Sequence, residues 1–164
     1  MSQVHLHLLI THLPIFGSVL GALVLGYGIW SKSMHTQVAA YFLFVIAAIG
    51  AGIAYLTGEG AEEAVENIQG ISESIIGQHE DFAMYALVSL IILGLASLMA
   101  IYVTLKKSSF AQTVSIIILV ISLVSFVLVA RTGYLGGQIR HTETSSVTLK
   151  SDSGGEKQSE GSDD

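Results

Sequence analysis

The stretch FAMYALVSLIILGLASLMAIYVTLKKSSFAQTVSIIILVISLVSFVLVA, residues 82–130, holds two long apolar runs separated by a short polar break. The runs extend from about Phe82 to Leu105 and from about Thr113 to Ala130. A bilayer core takes about 20 residues of helix to cross, far more than a strand uses. Each run is therefore read as a membrane-spanning helix, too continuously apolar to keep one face in water. The break, KKSSFAQ, leaves room only for an antiparallel return.

The same pattern stands upstream. Apolar runs from about Leu8 to Trp30 and from about Val38 to Thr57 are joined by SKSMHTQ. The prediction is an all-α, up-down-up-down transmembrane four-helix bundle over residues 1–141. From 142 the chain reads TETSSVTLKSDSGGEKQSEGSDD, which is polar, acidic and rich in Ser and Gly. A segment of that composition is expected to be a disordered tail, residues 142–164.

Composition agrees. Hydrophobic residues make up 51% and charged residues 12%, about half the charged share of ordinary soluble domains. There is no cysteine, which excludes disulfides, thiolate metal sites, c-type haem attachment and cysteine-ligated iron–sulfur clusters. No phosphate-binding Gly-rich loop, nucleophile elbow or basic cluster suited to nucleic acid is present. The N-terminus has no basic region and no small-residue cleavage site, so a removable signal peptide is not expected.

Small residues mark helix contacts. Gly17, Gly21, Val24 and Gly28 share one face of the first span, and Ala47, Ala51 and Ala54 one face of the second, with Gly50 beside them. Such stripes let helix backbones approach closely in lipid. The two short loops hold Lys32, Lys106 and Lys107 and no acid. The positive-inside rule then puts both termini on the outer, periplasmic side of a bacterial cytoplasmic (inner) membrane, with Arg131, Arg140 and Lys150 voting the other way.

The ionisable residues gather at the end away from the short loops. The segment VHLHLLITHLPIFG, residues 4–17, places His5, His7 and His12 in an apolar run. Helical extension of the second span stacks Glu59, Glu62, Glu63 and Glu66 on one stripe. Counted from the short loops at about 1.5 Å per residue, His5, Glu63, His79 and His141 come to one level and His12 and Arg131 to a deeper one. Ionisable groups buried in a membrane bundle usually pair, bind ions or line a functional path.

Three chemistries fit such a cluster. The first is b-type haem held by two imidazoles from diagonal helices, with His12 and His79 leading and His5, His7 and His141 in reserve. Arg131 and Arg140 would then pair with the propionates. The second is a non-haem iron or zinc site drawn from His5, His7, His12, Glu62, Glu63, His79 and His141. The third has no cofactor: a proton path, or a scaffold subunit of a larger membrane complex.

HLHLLITHLPIFG in the first span, LTGEGAEEAVENIQGISESIIGQHED between the second and third, and GYLGGQIRH after the fourth form an ordered set. The set resembles a family of small four-span bacterial membrane proteins classed as a domain of unknown function, over about residues 4–143. In that family the first span opens on a His-Pro-type motif, the third on a His, and the fourth ends in Gly-Gly. These map onto His12, His79, and Gly136 with Gly137; the His-x-Pro spacing here is HLP, where many relatives have His-Pro or His-Phe-Pro. Some members are fused to Rieske or cytochrome c domains, so the resemblance implies a redox setting. The function expected is electron transfer between a membrane donor such as quinol and an outer redox partner.

Overall fold

The computed structural model describes residues 3–66 and 73–152; within these, nothing is described for the side chains of residues 3, 4, 59, 61–66 and 140–152. Five helices occur: α1 (Gln3–Ile10), α2 (His12–Trp30), α3 (Met34–Glu66), α4 (Glu73–Leu105) and α5 (Ala111–Asp152). Four segments are long and apolar enough to cross a membrane, His5–Trp30, Met34–Gly58, Glu73–Leu105 and Ala111–Ile139. The architecture is all-α. Both α2 and α4 pack against α3 and α5, so α2 and α4 stand diagonally in the bundle, while α1 lies on α3. Helix α5 carries on to Asp152, beyond the change of composition at 142. Residues 153–164 of the acidic tail lie outside the described residues.

The first span, His5–Trp30, has one defect in its hydrogen-bond ladder near the start, while Thr11 keeps helical dihedrals and its bond to His7 O at 3.0 Å. Pro14 has no N–H to offer the carbonyl of Ile10, and its ring crowds that carbonyl. The defect accordingly falls beside Thr11, between α1 and α2. Side chains compensate locally: Thr11 Oγ1 and His12 Nδ1 both donate to the carbonyl of Leu8, at 3.0 and 2.8 Å.

The glycine stripe of α2 meets the alanine stripe of α3. A Cβ on Gly17 would stand 2.8 Å from the Cβ of Ala47, and one on Gly21 would stand 2.5 Å from Cε1 of Phe44. Tyr41, Phe44, Leu25, Leu90 and Leu93 are fully buried there. Outward positions carry large apolar side chains that remain exposed, such as Leu23, Ile49, Leu95 and Val127. A chain that leaves these open is surfaced for lipid rather than water.

Helices α2 and α4 end in the same way at the short loops. Ser33 N donates to Gly28 O at 3.0 Å and Ser108 N to Val103 O at 3.2 Å. Both are left-handed C-terminal turns, with Lys32 and Lys107 each at φ 53. A buried polar network closes this end. Gln37 Nε2 donates to Gly28 O at 3.1 Å, Ser115 Oγ lies 2.9 Å from Gln37 Oε1, and Tyr41 Oη lies 2.8 Å from Ser115 Oγ.

Candidate functional site

At the opposite end, two histidines from diagonal helices make one and the same contact. His7 of α1 reaches α3, where its Nδ1 is 2.9 Å from Ala54 O and 3.3 Å from Thr57 Oγ1. His79 of α4 reaches α5, where its Nδ1 is 3.0 Å from Thr132 O. A carbonyl can only accept, so each Nδ1 carries a proton, and Nε2 is the nitrogen left to act as a ligand. A glycine stands one turn further along in each case, closely under the ring of His79 and in ordinary contact with that of His7. Cε1 of His7 lies 3.6 Å from where a Cβ of Gly58 would stand, and Cε1 of His79 lies 3.1 Å from that of Gly136.

The local sequence explains why these two turn inward. Successive residues of a helix are about 100° apart, so positions seven apart share a line. His7 lies in register with Pro14, Gly21 and Gly28, all buried on α2. His79 lies in register with Ala86, Leu93 and Ala100, all buried on α4. Both imidazoles therefore extend the interior seam of their helix toward its outer end. Each is half-buried.

The same geometry turns His5 and His12 outward. They are seven residues apart and lie about 200° around the helix from His7 and Pro14 respectively. Both are exposed. His12 stacks on Phe16 with ring centroids 6.1 Å apart and donates back to Leu8 O of α1. The structure does not bring His12 to His79: the count along the helices already set the two at different levels, and azimuth turns His12 outward and His7 inward.

Arg131 is also on the outside of the bundle. Its guanidinium carbon lies 5.5 Å from the ring centroids of both Phe82 and Tyr134, a cation–π bracket at the rim of the span. The side chains of Glu62, Glu63, Arg140 and His141 lie outside the described residues. Among the described residues no three His, Asp or Glu side chains converge as a metal site.

The arrangement supplies two imidazole nitrogens, each ring fixed through its other nitrogen. That is how proteins hold histidines for a metal: the second-nitrogen hydrogen bond sets tautomer and orientation and raises the basicity of the ligating nitrogen. Sequence reasoning kept His7 only as a reserve. The signal that finds it is its seven-residue register with Gly21 and Gly28.

A family model described as a predicted membrane protein, DUF2231, matches residues 3–148. No curated protein and no solved structure matches the chain.

Proposed function

We propose that this chain, which belongs to the DUF2231 family of membrane proteins, is a redox protein that binds b-type haem between His7 and His79. The observation that carries this is the duplicated contact: two diagonal histidines, each with Nδ1 tied to a neighbouring helix's carbonyl and its ring over a glycine. The donor set suits the group, since imidazole is a common protein ligand of haem iron, and His7 and His79 would hold it. Haem supplies a one-electron couple; the protein supplies ligation, burial and orientation. His7 and His79 take the ligand roles. Arg131 stays a rim residue between Phe82 and Tyr134.

The charge of the short loops supports a location with the histidine end at the periplasmic face of a bacterial inner membrane. An electron carrier there would take electrons from a membrane donor such as quinol and pass them to an outer partner. A His/Glu iron or zinc site is the other chemistry open to these side chains, with Glu62 or Glu63 completing it.

The test is an absorption spectrum of the purified protein, oxidised and then dithionite-reduced, with metal analysis on the same sample. A Soret band with sharp reduced α and β bands is expected. His7→Ala and His79→Ala are expected to abolish it, and His12→Ala to leave it intact. A protein that stays colourless after haemin is supplied overturns the haem reading. Stoichiometric iron or zinc in that colourless protein selects the His/Glu site.

A further inference from the structure

The short-loop end has its own cavity, unconnected with the histidine pair. It has a volume of about 500 Å³ and lies between the two turns, lined by Lys32, Gln37, Thr104, Lys107, Ser108 and Gln112. The first residues of α3 and α5, Met34 and Ala111, line it as well. It therefore receives the positive ends of two helices.

Three observations assign its ligand chemistry. First, Lys32 and Lys107 flank the cavity and have no acidic partner among the described residues. They are not needed to cap the helices that precede them, because the backbone of the turns already bonds Gly28 O, Ile29 O, Val103 O and Thr104 O. Secondly, Thr104 lines the cavity, is 3% exposed, and its Oγ1 has no hydrogen-bond partner. Of the three buried hydroxyls without a partner among the described residues, Ser97, Thr104 and Ser125, Thr104 is the one that lines this cavity. Thirdly, Lys32 and Lys107 occupy left-handed positions, φ 53 each, where glycine is the favoured residue. The chain holds cations where backbone preference alone would select neither.

Two cations, two helix N-termini and hydroxyl donors with no acid nearby make a receptor for a phosphate group. Exposed aromatics surround it at the same height: Trp30 is 79% exposed and Phe110 71%, with Tyr102 and Tyr27 beside them. Such a belt marks the depth of lipid headgroups. We propose that this cavity binds a phosphate group, carried by an anionic phospholipid headgroup or by a soluble phosphate, between Lys32 and Lys107.

The experiment uses the full chain in a neutral detergent, with phosphatidylglycerol, phosphatidylcholine and inorganic phosphate as separate probes. Native mass spectrometry reads retained lipid and thermal unfolding reads stabilisation. One phosphatidylglycerol per chain should be retained over phosphatidylcholine, and the double variant Lys32→Gly/Lys107→Gly should weaken this about ten-fold or more. That variant relieves two left-handed lysines, so it should melt no lower than the wild type; Lys32→Gln/Lys107→Gln provides a second comparison with the side-chain length retained. Stabilisation by inorganic phosphate without lipid retention identifies the soluble anion as the source. Lipid retention without a phosphate effect identifies the headgroup. Binding of neither probe, or equal binding by the wild type and both variants, overturns the proposal.

Discussion

His79 lies directly over Gly136, with Cε1 3.1 Å and Nδ1 3.4 Å from where a Cβ would stand. The ring is also tied to Thr132 O one turn below, at 3.0 Å. A methyl group at 136 therefore pushes on a ring that the hydrogen bond holds in place. Gly136→Ala is expected to displace His79 and to reduce the Soret absorbance of the purified protein. Gly137 has nothing within 4 Å of its missing Cβ. Gly137→Ala should keep the full spectrum and, by helix propensity, gain up to about 1 kcal/mol of stability. Equal spectra for the two variants would remove Gly136 from the site.

Pro14 leaves Ile10 O without its helical donor, one turn after His7, which reaches Ala54 O on α3. Pro14→Ala restores a donor for Ile10 O and removes the ring that crowds it. The defect beside Thr11 should close, carrying His7 away from Ala54 O. The expected outcome is unchanged or increased helicity by far-UV circular dichroism together with weakened cofactor retention. Retention that rises along with helicity would show that the defect plays no part in aiming His7.

Most of the fold was legible because membrane physics leaves few options. Runs such as 113–130 have no reading in lipid except a helix, and loops as short as SKSMHTQ force antiparallel neighbours. The site was legible in level but not in azimuth. Counting residues places His5, His7, His12 and His79 near one end, yet a turn of about 200° separates an inward residue from an outward one two positions away. The glycines of α2 carry that information: extending their seven-residue line from Gly28 through Gly21 and Pro14 ends on His7. The duplicated His–carbonyl–Gly contact had no such signal. His7 and His79 sit in different motifs, and a backbone acceptor leaves no trace in a side-chain pattern.

The close approach of α2 and α3 gives a prediction with an internal control. A Cβ on Gly21 would stand 2.5 Å from Cε1 and 2.8 Å from Cδ1 of Phe44, and that ring is fully buried. Gly21→Ala should cost about 1–3 kcal/mol, the usual range for overpacking. Gly26, on the same helix, has nothing within 4 Å. Gly26→Ala should be neutral or stabilising by up to about 1 kcal/mol. Thermal unfolding of the two variants in one detergent checks both, and a lower melting temperature for Gly26→Ala than for Gly21→Ala would contradict the packing described.

Ser115 joins α5 to α3 at the closed end of the bundle. Its hydroxyl stands within hydrogen-bond distance of Gln37 Oε1, Tyr41 Oη and Ala111 O, at 2.9, 2.8 and 2.8 Å. One hydroxyl has one proton to give, so Tyr41 donates to Ser115 while Ser115 donates to either Gln37 or Ala111. Ser115 and Tyr41 are both fully buried. Ser115→Ala strands the Tyr41 hydroxyl and one face of Gln37 in an apolar interior, which costs about 1–3 kcal/mol. Tyr41→Phe removes a donor whose acceptor keeps other partners, and should cost nearer 1 kcal/mol. In the double variant the stranded hydroxyl is gone, so its loss should be smaller than the sum of the two single losses. A double-mutant cycle by thermal unfolding measures this coupling. Strict additivity would mean that the Ser115–Tyr41 contact contributes nothing to holding the closed end together.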